Sequence, residues 1–377
     1  MSTLKICHII PDGDIPTIRP FAPSIVIQSI IKYMNDCEHY FVVKKENENV
    51  YEKRQNIEIF RVEENKFLKK LDKKLNTTFD PLYRKSVNII RKYKCDVVLA
   101  HQREFNVNKL RKMLGYDIPI ISYNHGIGKF KKNIGIPNKY IAVSEYSKSL
   151  MIQEGYPANK IEVIYNGIDK NFIFKQFDEI KFKERLNINT NDIVVSFIGR
   201  KVKEKGYYKF LQLAQILLKK YDNISFLSVG PIMYNEDYIL ELEQKLLKHP
   251  KFYNFNSIQH NEIYKFFRIS DIFIMLTEYE QHSIAAVEAM GYKNIVIASN
   301  LSSFPEMIES SKNGFLIDDI ENLDNILQLL DKIIINFDDY KKLGYNAQRT
   351  VLNKFLWEHS ANRLLKIINE ILKEKNV

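Results

Sequence analysis

Two short stretches hold the residues whose types and spacing could do chemistry together. The first is Gly199-Arg200-Lys201-Val202-Lys203-Glu204-Lys205-Gly206, where Arg200 and Lys205 bracket a loop between an apolar run and a helical pattern. A guanidinium fork, an ammonium point charge and the free N–H groups of a helix start make an anion site. Read alone, the same segment is also one more basic loop. The second stretch runs from Glu278 to Glu306. Glu280 lies in a polar loop after the apolar run Asp271–Leu276, and Glu288 lies in a short helix expected from about Ser283 to Met290. Its neighbours from Ile284 to Met290 are apolar or small. A carboxylate there is costly to bury without hydrogen-bond partners, which a hydroxyl-rich ligand would supply. The bland alternative is a solvent-facing Glu on an alanine-rich helix. Ser283 suits the N-cap, and Gly291 the C-terminal stop.

The order of these groups resembles a known pattern. Glu280 and Glu288 enclose seven residues, and Pro305-Glu306 follows the next apolar run. This is similar to the Glu-x7-Glu signature of the retaining nucleotide-sugar glycosyltransferases of family 4, the group 1 transferases with the GT-B fold. Gly199-Arg200-x4-Lys205-Gly206 is similar to that family's diphosphate-binding segment. Ser144-Glu145-Tyr146-Ser147-Lys148, followed by Lys160 to Asp169 with its Asn166-Gly167 turn, looks like its end-of-domain-one segment, and Asn313-Gly314 is a fourth match. The resemblance covers most of residues 140 to 320.

The resemblance implies an α/β protein of two Rossmann-like domains facing each other across a cleft. Residues 1–168 would form the acceptor side, 169–358 the nucleotide-sugar donor side, and 359–377 a C-terminal helix packing back across the cleft to the first domain. It also implies roles. Arg200 and Lys205, beside Gly199, would hold the diphosphate; Glu288 would bind the ribose and Glu280 the hydroxyls of the transferred sugar. Backbone N–H groups from Gln281, His282, Ser283 and Ile284 would face the sugar-phosphate, and Asn256-Ser257-Ile258 would flank the base. His125, in Tyr-Asn-His-Gly, corresponds to a histidine beside the donor sugar. His101 ends a strand and is either structural or, with Asp12, Gly13 and Arg19, on the acceptor side. Three departures stand out. The first loop has one glycine, Gly13, where the family has a pair; Gln281-His282-Ser283 replaces Gly-Phe-Gly; and Ser302-Ser303 replaces a glycine pair.

Breaking an anomeric C–O bond leaves a nucleoside diphosphate with growing negative charge. Fixed positive groups aimed at that charge lower the barrier, each donor contributing about 3–4 kcal/mol. The resemblance therefore implies neither metal nor cofactor, retention of anomeric configuration, and a departing phosphate oxygen that takes the acceptor's proton. The substrate expected is a nucleotide diphosphate sugar, a UDP-sugar favoured over a GDP-sugar. It would pass a hexose or N-acetylhexosamine to a glycan or glycolipid in bacterial lipopolysaccharide, capsule or other surface polysaccharide assembly. The rivals are a nucleotide-sugar epimerase on the same fold and a non-catalytic basic binding protein. The latter predicts basic residues interleaved with exposed aromatics in a nucleic-acid-binding fold, and none is found.

The elements that must position these groups alternate along the chain. Apolar runs at Lys5–Ile10, Tyr40–Val43, Ile57–Val62, Asp96–Ala100, Ile118–Ser122, Tyr140–Val143 and Ile161–Tyr165 read as strands, with helices at Ser24–Met34, 64–75 and 82–93. From Ile193 the βαβ spacing is cleaner. Six apolar runs, Ile193–Ile198, Ile224–Val229, Lys251–Asn256, Asp271–Leu276, Asn294–Ala298 and Gly314–Ile317, imply a parallel sheet covered on both faces. Tyr207–Tyr221 carries an apolar stripe between two of them, and a last helix is expected near Ser360–Glu374.

The 377 residues suit two domains, and 45% hydrophobic content suffices for packed cores. The net charge of +10 is uneven: residues 1–180 carry 30 Lys+Arg and 21 Asp+Glu, leaving 26 and 25 for the rest (56−30, 46−21). Lys66–Leu75 sets lysines against an apolar face, and Lys129–Ile136 is a basic loop with apolar interleaving. Both raise peripheral contact with an anionic membrane as an expectation. Cys7, Cys37 and Cys95 are scattered and imply neither a disulfide framework nor a zinc site. With no signal-peptide pattern at the N-terminus and no spanning apolar run, a cytoplasmic location is expected, possibly at the inner face of the cell membrane.

Overall fold

Strands buried on both faces form one sheet in each half of the chain. The structure, a computed structural model, describes residues 3–11, 13–15, 22–46, 49–65, 67–68, 80–101, 105–126, 128–233, 236–256 and 258–375. It divides into two units, residues 1–165 with 357–377, and residues 166–356.

In the first unit the strands are β1 (Leu4–Ile10), β2 (Cys37–Lys44), β3 (Tyr51–Arg54), β4 (Ile57–Val62), β5 (Val97–Ala100), β6 (Ile120–Tyr123), β7 (Lys139–Ala142) and β8 (Ile161–Val163). Their order is β3-β4-β2-β1-β5-β6-β7-β8. Every pairing is parallel except β3 with β4. Helices α1 (Ala22–Ile31), α2 (Pro81–Tyr93), α3 (Val107–Leu114) and α4 (Glu145–Gln153) connect strands. Local chemistry sets their starts: the side chains of Asp80, Asn106 and Ser144 accept hydrogen bonds from the first-turn N–H groups of α2, α3 and α4.

The second unit has β9 (Ile193–Ile198), β10 (Ile224–Val229), β11 (Phe252–Phe255), β12 (Ile272–Met275), β13 (Ile295–Ser299) and β14 (Phe315–Ile317), ordered β11-β10-β9-β12-β13-β14 and all parallel. Its helices are α5 (Lys170–Ile173), α6 (Glu179–Arg185), α7 (Tyr207–Lys220), α8 (Asp237–Leu246), α9 (Ile263–Arg268), α10 (Ile284–Gly291), α11 (Leu323–Ile335) and α12 (Phe337–Lys354). Phe210, Leu213, Ala214 and Leu217 turn the stripe of α7 onto Phe197, Phe226 and Ile274. Each such large apolar side chain, fully buried, contributes about 1.5–3 kcal/mol.

The last helix, α13 (Trp357–Lys375), belongs to the first unit. It packs on α1. Ser360 donates to the Tyr165 carbonyl (2.7 Å), and Arg363 meets Glu162 (2.6 Å).

Both sheets are α/β sheets in which the chain crosses from one side to the other. In the first unit it leaves β1 for β2 and later returns to β5 on the opposite flank. In the second it leaves β9 for β10 and returns to β12. The carboxyl ends flanking such a switch are where open α/β sheets bind ligands.

One expectation needs correction. Gly291 is the last residue of α10 rather than a left-handed glycine stop beyond it: the C-cap is Tyr292, at φ −93°. Gly291 is small for packing instead. A Cβ there would lie 3.3 Å from the Ile168 side chain.

Candidate active site

In the second unit, Lys205 and Glu280 form an ion pair. Lys205 follows β9 and Glu280 follows β12, so the pair spans the switch point at the strands' carboxyl ends. The backbone brings them there. Gly206, at φ +75°, turns the chain from the Lys203–Lys205 turn into α7, and a Cβ on it would collide with the Leu276 carbonyl. Across the same gap, Thr277 Oγ1 donates to the Glu204 carbonyl (2.6 Å) and the Glu278 N–H also reaches it (3.0 Å).

The loop carrying Glu280 is held from its other side as well. The Glu280 N–H donates to Ser302 Oγ (3.2 Å) and its carbonyl accepts from Ser303 Oγ (3.4 Å). Ser302 takes φ +58°, a left-handed conformation that suits glycine, so the two serines at the expected glycine pair clamp the loop by their hydroxyls.

Arg200 is exposed and has no hydrogen bond or ion pair with any described residue. Its neighbour Lys201 is the reverse, fully buried. An isolated bridge from Lys201 to Ile232 continues the strand pleat past β9, which turns residue 200 outward and 201 inward. Lys201 Nζ donates to Asn254 and to Asn256 (2.8 Å) and lies 4.0 Å from Glu243. Burial lowers its pKa to about 8, and Glu243 pulls the other way. This network fixes the end of β11 next to Ile258, which is half-buried.

Ser283 caps α10 as expected, its Oγ accepting from the Ala286 N–H (3.2 Å). Glu288 is half-buried on that helix, and no described residue hydrogen-bonds to its carboxyl group. Burial pushes that carboxyl up to about 8. His282 is buried, its ring 5.6 Å from that of Phe355, and its carbonyl accepts from Asn166 (3.3 Å). Burial, then the nearby Lys354 charge, lower its pKa to about 3. Gln281 is half-buried with its amide on the Tyr279 hydroxyl (3.1 Å), and Gly199 is half-buried at the end of β9.

In the first unit, His101 is buried just past β5, and His125 is half-buried two residues past β6. The two rings stack at 5.8 Å, and Tyr123 stacks on His125 at 4.7 Å. Burial lowers both imidazole pKa values, that of His125 to about 3. Behind them lie two more buried histidines, His8 on β1 and His39 on β2.

Asp12 and Arg19 fall outside the described residues, as do Ser257 and most of Lys66–Leu75. Gly13 is buried. Its neighbour Asp14 is tied to Arg61 by a buried ion pair (2.7 Å), and Arg61 also donates to the Ile15 carbonyl (2.6 Å). Residues 14 and 15 of the glycine-poor loop are thus anchored to β4 through Arg61. In the basic loop after β6, Phe130 and Ile136 pack on the cluster of Tyr140 and Tyr156, while Lys129, Lys131, Lys132 and Asn133 are exposed. The three cysteines are buried and free. Among the described residues no group of three His, Cys, Asp or Glu could hold a metal ion, and no helix is long and apolar enough to cross a membrane.

Two family models match consecutive parts of the chain: Glycosyltransferase Family 4 over residues 34–172 and Glycosyl transferases group 1 over 178–350. A capsular polysaccharide biosynthesis glycosyltransferase of Staphylococcus aureus is 26% identical over 239 residues, covering 62% of each chain. Among solved structures, a glycosyltransferase from Rickettsia africae superposes with TM-score 0.78 at 20% identity, over 99% of this chain and 100% of its own. The HepE protein of Anabaena in complex with UDP-glucose gives TM-score 0.74 at 20% identity, over 97% and 100%. With a Rossmann-like sheet in each unit, these matches make the chain a GT-B glycosyltransferase of family 4 and group 1.

Proposed function

We propose that the protein is a retaining, metal-independent hexosyl- or N-acetylhexosaminyltransferase using a UDP-sugar, with a glycan or glycolipid of a bacterial surface polysaccharide as acceptor. The observation that carries this reading is the Lys205–Glu280 pair at the β9/β12 switch point, beside the capped start of α10. UDP-glucose in the Anabaena protein and the capsular role of the Staphylococcus relative support the choice of donor and acceptor class.

Without ligand, Glu280 neutralises Lys205. A diphosphate entering beside Arg200 draws the Lys205 ammonium toward its oxygens and frees the Glu280 carboxylate for sugar hydroxyls. Glu288, high on its titration scale, meets the ribose hydroxyls, and the N–H groups at the start of α10 face the phosphate. As the anomeric C–O bond to phosphate breaks, Lys205, Arg200 and the helix start stabilise the leaving oxygen. The acceptor hydroxyl adds to the anomeric carbon on the same face and passes its proton to that departing oxygen. This route retains configuration and uses no separate base.

Thermal shift with UDP, GDP and ADP tests the donor site. UDP should stabilise the wild type, and much less so Lys205→Ala and Glu288→Ala. With a UDP-sugar, Lys205→Ala should lower turnover by about 10²–10³-fold, or roughly 3–4 kcal/mol. Turnover should survive EDTA, and the product anomer seen by NMR should match the donor's. Failure of all three nucleotides to shift the wild type would overturn the reading.

A further inference from the structure

Three buried histidines of the first unit form a directed chain. His39 Nε2 lies 3.3 Å from the Met34 carbonyl, His39 Nδ1 lies 3.0 Å from His8 Nε2, and His8 Nδ1 lies 3.3 Å from His101 Nε2. A carbonyl oxygen only accepts, so His39 Nε2 must carry its proton. No described carboxylate hydrogen-bonds to these buried rings, and each is neutral with one N–H. His39 Nδ1 is then bare and accepts from His8 Nε2–H, and His8 Nδ1 accepts from His101 Nε2–H. The Met34 carbonyl thereby fixes three tautomers, and the chain ends on a bare His101 Nδ1.

That atom is buried and has no hydrogen-bond partner among the described residues. His125 Nε2 and the Tyr123 hydroxyl, from rings stacked with His101 at 5.8 Å each, also lack partners among the described residues. Buried polar atoms left unpaired are costly. Three together, where β5 and β6 end and beside the β1/β5 switch point, mark a place where a ligand supplies the missing hydrogen bonds. A bare imidazole nitrogen needs a donor, and a neutral hydroxyl provides one without bringing charge to a site that has none.

We infer that His101 Nδ1 is a fixed hydrogen-bond acceptor for a sugar hydroxyl, with His8 and His39 as positioning residues that hold its tautomer. The choice of a sugar rests on the glycosyltransferase reading; the acceptor atom does not. His101→Gln keeps an N–H toward His8 but offers no acceptor at the Nδ1 position, whereas His101→Asn places its amide oxygen there.

Nitrogen-15 NMR of histidine-labelled full-length protein reads the tautomers directly. His8, His39 and His101 should all be protonated at Nε2 and bare at Nδ1, and His39→Leu should give mixed tautomers at His8 and His101. UDP-glucose and octyl α-glucoside are the probes. At least one should move the His101 Nδ1 signal in the direction of hydrogen bonding. Its affinity should fall about tenfold in His101→Gln and largely return in His101→Asn. Response to UDP-glucose alone assigns the hydroxyl to the donor's sugar, and response to octyl glucoside alone assigns it to the acceptor. A protonated His101 Nδ1 in the free protein, or a signal unmoved by both probes, would overturn the inference. Binding of octyl glucoside at His101 with no binding of UDP would sink the donor reading and leave this one standing.

Discussion

The two switch points hold opposite kinds of chemistry on the same scaffold. At β9/β12 the strands end in charge: Lys205 pairs with Glu280, Arg200 is exposed with no partner among the described residues, and even the buried position beside it is a lysine. At β1/β5 the strands end in neutral rings, with His8, His101 and their neighbours His39, Tyr123 and His125 sharing hydrogen bonds and stacking. A diphosphate needs fixed positive charge, and a hydroxyl-rich partner needs uncharged donors and acceptors with set directions. The parallel sheet supplies the address in both cases, and the side chains at the strand ends decide which ligand is read.

The comparison is sharpest where charge is buried. Lys201→Ala would leave Glu243, Asn254 and Asn256 around an empty polar site, and the expected loss is about 3–5 kcal/mol of stability. His8→Phe in the first unit unpairs only neutral nitrogens of His39 and His101, for about 1–3 kcal/mol. Denaturant midpoints of the two variants measure both. The reverse ranking would show that the network around Lys201 is not held by its charge.

A second test uses pH, because the two edges should respond with opposite sign. His125 and His39 have native pKa values of about 3 and about 4, below their ordinary 6.5. Between those values the unfolded chain binds protons that the native state refuses. Stability is therefore intact above pH 6.5 and falls as the pH drops below it, by up to about 1.4 kcal/mol per pH unit for each histidine. Glu288 stands at about 8, above its ordinary 4.5. Its contribution is complete below pH 4.5 and is lost as the pH rises through about 8, with a slope reduced by its partial exposure. Because His282 titrates in the second unit with the histidine sign, the differences between wild type and variants are what count. His125→Phe should flatten the loss between pH 6.5 and 5.5, and Glu288→Gln the loss between pH 6.5 and 7.5. An unchanged acid slope in His125→Phe would mean that its imidazole is not held neutral.

How much of this was legible in the chain follows from how local each signal is. Strands β9, β10, β12 and β13 were readable because burial on both faces leaves them almost wholly apolar. β3 was not: Tyr-Glu-Lys-Arg at a sheet edge is mostly exposed, and its pairing is settled by β4 rather than by its own sequence. α3 and α4 were missed although Asn106 and Ser144 are ordinary caps, since both helices are short and largely polar. Arg200, Lys205, Glu280 and Glu288 stood out through their spacing, and of these the structure brings Lys205 and Glu280 into contact. Lys201 was invisible in a basic run, because the pleat that buries it depends on Ile232 across the sheet. The histidine chain joins residues 8, 39 and 101, which only strand order brings together. Asp14 and Arg61 are likewise far apart in sequence, so the anchoring of the first loop had no local sign.

The finest difference between the two edges lies in how they are clamped, by ring nitrogens in one and by two serine hydroxyls in the other. Ser302 sits at φ +58°, which strains a residue with a Cβ, yet its Oγ accepts from the Glu280 N–H. Ser302→Gly removes the strain and the hydrogen bond together. The relief is about 1–2 kcal/mol, and it is offset by about 1 kcal/mol for the lost bond and by the greater freedom of glycine in the unfolded chain. The unfolding free energy from urea titration should then move by no more than about 1 kcal/mol in either direction. Ser302→Ala keeps the strain and loses the bond, so it should be the less stable of the two. Turnover separates clamping from stability. If Ser302 Oγ holds Glu280 against Lys205, both variants should slow transfer to a similar extent, a few-fold, despite their different stabilities. Transfer at the wild-type rate in Ser302→Gly would mean that Lys205 alone positions Glu280, and that the serine pair is only a tolerated replacement for glycine.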